Sequence, residues 1–157
     1  MNETVWKPSV TVAAVVEQGG RFLLVEEHTR VGVRLNQPAG HLDKGESLAA
    51  AVVRETWEET AFRFVPRFLV GIYLWSRPDR DMTYLRFAFG GDLAGYDNSR
   101  ELLDKGIIRA LWMSARELQA CRERHRSPLV ERCVADYMAG HRHPLTVLTH
   151  FPLPTTV

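Results

Sequence analysis

Three glutamates, Glu55, Glu58 and Glu59, fall at i, i+3 and i+4 in a stretch of helix formers running from Glu46 to about Thr60, which sets all three on one helical face. Each like-charged pair costs a few tenths of a kcal/mol in a helix, a penalty that solvent screening or a nearby cation relieves. Arg54 is spaced to pair with Glu58 at i+4 but carries too little charge to neutralise all three. A hard divalent cation has enough. Mg²⁺ takes oxygen ligands in near-octahedral array and keeps waters and substrate phosphates among them, so carboxylates beside a loop with free carbonyls make its expected site. The glycines of Pro38-Ala39-Gly40 and Lys44-Gly45, just before the helix, supply such a loop. The chemistry this set supports is phosphoryl transfer to water, with cations offsetting a pyrophosphate charge and acidifying a water while one carboxylate acts as base. Spacing alone does not separate this from an acidic, solvated helix face.

The elements around this segment must decide which face is buried. At 100° per residue the side opposite the glutamates carries Ala50, Val53, Trp57 and Ala61, which predicts that this side packs inward and the acidic side points outward or into a cleft. Upstream, Val10–Val16 and Arg21–Glu26 are apolar, β-branched runs separated by Gly19-Gly20, the pattern of a β-hairpin. Residues 27–45 have loop composition with one short strand expected at Val33–Gln37. Downstream, Phe68–Trp75 and Thr83–Phe89 flank the polar turn Arg77–Asp81 as a second hairpin, and residues 91–105 read as a long loop. A strand is expected at Ile107–Met113, a capping box at Ser114-Ala-Arg-Glu117, and a further helix from Ser127-Pro128 to near Gly140. The tail after His141 is expected to be extended and packed through Leu145, Val147, Leu148 and Phe151. No repeat or linker divides residues 1–157, so one domain is expected.

Composition limits the alternatives. With 45% apolar and 25% charged residues the chain has ordinary globular composition, and its length suffices for a core without disulfides. A net charge of +1 gives no footprint for nucleic acid. The local run Arg122, Arg124 and Arg126 reads as a solvated surface. No apolar run approaches the roughly 18 residues of a membrane span, and the N-terminal residues lack a signal-peptide pattern, so a cytoplasmic location is expected. Cys121 and Cys133 are expected to be reduced thiols.

The segment Gly40-His-Leu-Asp-Lys-Gly-Glu46 through Arg54-Glu55-Thr56-Trp57-Glu58-Glu59-Thr60-Ala61-Phe62 resembles the Nudix box, G-x5-E-x7-R-E-U-x-E-E-x-G-U, with its fixed residues at Gly40, Glu46, Arg54, Glu55, Glu58 and Glu59. Thr56 stands where an aliphatic residue is usual and Ala61 replaces the last glycine. If that position needs φ > 0, alanine there costs on the order of 1 kcal/mol. The resemblance implies an α/β fold, an α/β/α sandwich around a mixed β-sheet. It also implies that Glu55, Glu58 and Glu59 bind Mg²⁺ or Mn²⁺, that Glu55 is the leading candidate base, and that Arg54 and Glu46 orient the ligands. The carbonyl of Ala39 or Gly40 is a candidate further ligand, and Glu101 or Asp104 a candidate acidic residue from a later loop. Stretches beyond the box, among them Asn36-Gln37-Pro38-Ala39-Gly40-His41-Leu42, Arg86-Phe87 and Ser127-Pro128-Leu129-Val130, resemble the NudJ-type phosphatase branch. That branch implies hydrolysis of nucleoside tri- and diphosphates and of thiamin-pathway pyrophosphates, hydroxymethylpyrimidine pyrophosphate and thiamin pyrophosphate, releasing orthophosphate.

Arg34, Arg86 and Arg109 are candidate phosphate contacts because guanidinium matches phosphate oxygens, and each is equally suited to a surface charge. His41 is a candidate phosphate contact or a loop-bonded histidine. Tyr73, Trp75 and Tyr84 could stack a substrate ring or fill the core. His141 and His143 are assigned no metal. The expected partner is a small nucleotide or pyrophosphate, with no nucleic acid and no membrane, in a monomer or homodimer. The alternatives are a Nudix pyrophosphohydrolase of dinucleoside polyphosphates or nucleotide sugars, and a non-catalytic nucleotide-binding scaffold.

Overall fold

A computed structural model describes residues 4–100 and 103–154. The strands are β1 (Ser9–Val15), β2 (Glu17–Gln18), β3 (Arg21–Thr29), β4 (Gly32–Asn36), β5 (Ala39–His41), β6 (Phe62–Ser76), β7 (Thr83–Tyr96) and β8 (Ile107–Ser114). The α-helices are α1 (Leu48–Thr60), α2 (Ala115–Gln119) and α3 (Leu129–Met138). One sheet has the order β5-β1-β7-β6 and is mixed, because β1 runs parallel to β7 while its other pairings are antiparallel. In the other sheet β3 pairs antiparallel with β2, β4 and β8.

Side-chain alternation along the strands builds two cores. Val12, Ala14 and Val16, with Leu23 from β3, pack against Ala51 and Val52 of α1. Val15, Phe22 and Leu24 point the other way, onto Leu118 of α2 and Val130, Cys133 and Val134 of α3. Helices therefore cover both sides of the strands, the α/β/α arrangement expected.

The capping-box expectation is met. Ser114 and Glu117 form both arms of a capping box at α2. Both cysteines are free. Among the described residues no helix is long and apolar enough to cross a membrane.

Three readings are corrected. Gly19-Gly20, both at positive φ, turn only the two-residue β2 back onto Arg21 and Phe22, whereas Val10–Val15 leaves for the other sheet and pairs with β7. A strand buried on both faces gains more from a central parallel position than from a two-stranded ribbon. Residues 91–96, read as loop, continue β7 because bulges in β6 let the long hairpin keep pairing past Gly90 and Gly91. In the tail, Leu145 and Leu148 do pack on the core, but Val147 and Phe151 stay exposed.

Candidate active site

The acidic helix begins at Ser47, whose hydroxyl accepts the Ala50 N–H at 3.1 Å. Its buried side is rotated from the expected one: Ala51, Val52, Thr56 and Thr60 face inward, while Val53 is exposed. Thr56 and Thr60 can sit in the core because each hydroxyl donates to the carbonyl four residues back, Val52 at 2.7 Å and Thr56 at 2.6 Å. Thr56 therefore serves at its position without an unpaired polar atom. This rotation carries Glu55 and Glu59 partly under the loop that precedes the helix, each only 9% exposed. Trp57, expected in the core, instead donates its indole N–H to Asp97 at 3.0 Å and lies under the Arg100 guanidinium. The helix ends at Ala61 with φ 60°, the only non-glycine at positive φ among the described residues.

One guanidinium organises the carboxylates. Arg54 donates Nε and Nη2 to the two oxygens of Glu46 at 2.8 and 3.0 Å, and Nη1 to Glu55 at 2.8 Å and Glu58 at 3.1 Å. It also donates to the His41 carbonyl at 3.0 Å, tying the glycine loop to the helix. Glu46, held by Arg54, has its pKa lowered, and the Arg54 pKa is raised. Burial pushes the Glu55 carboxyl up despite Arg54, and pushes Glu59 up to about 9. Glu59 accepts one hydrogen bond, from the Ala39 N–H at 2.9 Å.

A second loop completes the cluster. Arg100 donates to the Glu58 carbonyl at 2.9 Å and to Asp104 at 3.2 Å, and the Asp104 N–H bonds the same Glu58 carbonyl at 3.0 Å. Asp104 is thereby brought beside Glu58, and carboxylate oxygens of Glu55, Glu58 and Asp104 lie within 4.8 Å of one another. Glu101 lies outside the described residues. Three carboxylates this close, two of them sharing one guanidinium, fit the donor set of a hard divalent cation. Gly40 shows how tightly the loop closes on them: a Cβ there would stand 2.1 Å from the Glu55 carboxyl carbon.

Beside Glu55 and Glu59 opens a cleft of about 330 Å³, bounded by Ala39, Gly40 and His41 on one side and by Arg86, Trp75 and Tyr84 on another. Trp75 and Tyr84 form a stacked pair, 5.9 Å between centroids at 15°. A polyanion clamp of this kind beside a flat aromatic wall suits a small phosphate ester.

The NUDIX domain model matches residues 6–133. The chain belongs to the Nudix family. It is a Nudix hydrolase acting on phosphoanhydride bonds. Across 152 residues it is 40% identical to a protein named Phosphatase NudJ in Escherichia coli strain K12, covering 96% of this chain and 97% of that one. A solved NUDIX hydrolase from Nitrosomonas europaea is 50% identical, with a TM-score of 0.89 over 92% of this chain and 98% of the other. The MutT protein of Methanosarcina mazei, at 23% identity and TM-score 0.68 over 88% of this chain and all of the other, shares the fold.

Within this Nudix hydrolase the candidate phosphate contacts separate. Arg86 lies in the cleft, 7% exposed, donating to Gln37 at 3.2 Å and Asn36 at 3.3 Å, and His41 lines the cleft as well. Arg34 instead donates to the Val33 carbonyl, and Arg109 pairs with Glu26 at 2.8 Å; neither lines the cleft. Both sit on strands whose neighbours already answer their charge or donors. Tyr73 points to the opposite core and bonds Asp136 at 2.9 Å.

Among the cleft residues given no site role from the sequence are Thr11, Glu27, Asn36, Arg77 and Arg126. Arg122 pairs with Glu131 and Arg124 with Glu26, as suits a surface run, but the Arg126 N–H bonds the Leu35 carbonyl at 2.8 Å and that docking turns Arg126 to the cleft. Its alternate spacing with Arg122 and Arg124 concealed this. Burial pushes the Glu27 carboxyl up, with Arg126 and Asn36 pulling it down.

Proposed function

We propose that this Nudix hydrolase is a Mg²⁺-dependent phosphatase of NudJ type that releases orthophosphate from nucleoside tri- and diphosphates and from thiamin-pathway pyrophosphates. The observation that carries the reading is the convergence of Glu55, Glu58 and Asp104 at the mouth of a cleft with a guanidinium and an aromatic wall. The near full-length likeness to Phosphatase NudJ supports the substrate class.

Glu55, Glu58 and Asp104 would hold the cation, with Glu59 and the backbone of Ala39 and Gly40 beside them. When bound, Mg²⁺ offsets phosphate charge and makes water a better nucleophile at neutral pH. Arg54 holds Glu55 and Glu58 in place against their mutual repulsion, and Glu46 fixes Arg54. Glu55 is the candidate to take the proton from the attacking water, since its carboxylate lines the cleft beside Glu58 and Asp104. Arg86 and His41 bind and orient the phosphate chain from the cleft wall.

The test is phosphate release, with and without Mg²⁺, from GTP, GDP, thiamin pyrophosphate, ADP-ribose and diadenosine polyphosphate, resolving orthophosphate from pyrophosphate. Orthophosphate from the first three is expected. Cleavage confined to the last two would reject the NudJ-type specificity, and silence on all five would reject the catalytic reading.

A further inference from the structure

Among the described residues four buried side-chain polar atoms have no hydrogen-bond partner, and three of them, Thr11 Oγ1, Glu27 Oε1 and Arg86 Nε, belong to residues that line the one cleft described above. Each such atom costs the desolvation of a polar group, so their convergence needs a compensating partner. Thr11 and Arg86 are each only 7% exposed. None of the three belongs to the carboxylate cluster that would hold the cation. Two cations act on Glu27, Arg126 and Arg86, and Arg126 stands at 3.8 Å, too far for a hydrogen bond. Asn36, two registers along the β3–β4 ladder from Glu27, accepts from Arg86 through Oδ1 and turns its amide toward the Glu27 carboxylate, so the two groups sit side by side at the cleft. The polar edge therefore offers a carboxylate acceptor beside an amide donor, and the stacked Trp75 and Tyr84 offer a flat wall in the same cleft.

We propose that Glu27 and Asn36 read the ring of the substrate, and that they take an amino-substituted nitrogen heterocycle, Glu27 accepting the amine N–H and Asn36 donating to the adjacent ring nitrogen or carbonyl. Trp75 and Tyr84 stack the ring, and the Thr11 hydroxyl, able to donate and accept, completes the edge. This rests on the reading of the cleft as a phosphate-ester site and adds what selects the ester. A ring bearing a carbonyl in place of the amine would set oxygen against the Glu27 carboxylate and leave it unpaired.

Binding of nucleoside monophosphates by titration calorimetry tests the assignment without requiring turnover. The pairs are GMP against IMP, which lacks only the amine, and CMP against UMP, which carries a carbonyl in its place. Wild type is expected to bind the amine-bearing member at least about tenfold more tightly in one or both pairs, as a hydrogen bond to a buried charged group implies. Glu27→Gln, whose amide opposes an amine with its own donors, should bring that ratio to about one or invert it, and Glu27→Ala should abolish it, with folding checked by Tm. Equal affinities within both pairs in wild type would overturn the proposal, as would an unchanged preference in either folded variant. Orthophosphate release from GTP is read separately, so loss of the phosphatase reading does not mask this result.

Discussion

Replacing Gly40 by alanine should disable the site while leaving the fold intact. The new Cβ would stand 2.1 Å from Cδ and 2.2 Å from both carboxylate oxygens of Glu55, where ordinary contact begins near 3.4 Å. Gly40 is not among the positive-φ residues, so alanine meets no backbone strain there. What must give is the end of one side chain. The Glu55 carboxylate has to retreat by about 1 Å or more, breaking its 2.8 Å bond with Arg54 and leaving the position it shares with Glu58 and Asp104. Misplacement on that scale at a reacting centre costs on the order of 100-fold in rate. Phosphate release at saturating Mg²⁺ should therefore fall about 100-fold in kcat/KM, with Tm within a few degrees of the parent. A folded Gly40→Ala protein within about threefold of the parent would refute the claim that the loop fixes Glu55.

Other perturbations follow from the same geometry. Because the folded state holds Glu59 near 9 against an ordinary value of 4.5, its neutral form favours folding below about pH 4.5, and that contribution is lost as pH rises toward 9. Cation-free protein should lose Tm between pH 5 and 9, Glu59→Gln should flatten the slope, and Mg²⁺ binding should tighten with pH and release protons, as measured by calorimetry in two buffers; a flat Tm profile in the parent would contradict this. Arg54→Lys keeps the charge but cannot span Glu46, Glu55 and Glu58 together, so turnover should drop about 10- to 100-fold, and parent-like rates would contradict the clamp. Ala61→Gly relieves a left-handed alanine, worth about 1 to 2 kcal/mol, but removes a buried methyl worth about 0.8 kcal/mol. Chemical denaturation should show stability unchanged or raised by up to about 1 kcal/mol, and a loss would show that the methyl packing dominates.

The box residues made the metal end of the site legible because their roles are local: Arg54, Glu55, Glu58 and Glu59 share one helix, and Glu46 pairs with Arg54 from the turn before it. The face that helix buries was misread because Thr56 and Thr60 look polar in sequence but satisfy their hydroxyls within the helix, while Ala50 and Val53 look apolar and stay outside. Long-range placement was harder. No spacing tied Asp104 to the helix, and Arg100 brings it there by bridging to the Glu58 carbonyl, while β1 looked like the partner of β3 but pairs in parallel with a strand about 75 residues later. The polar edge of the cleft gathers Thr11, Glu27, Asn36 and Arg86 from four strands, and no spacing in the chain announces that meeting.

Glu55, Glu58 and Asp104 are proposed to form the cation site of this hydrolase. The most direct test of that assignment is orthophosphate release from GTP by the parent and by Glu55→Gln over a Mg²⁺ titration, with Tm recorded for both. The parent should be inactive without Mg²⁺ and saturate with it, and the variant should stay folded while losing turnover by orders of magnitude at every concentration. Release from the parent that persists after chelation, or near-parent turnover in the folded variant, would contradict it.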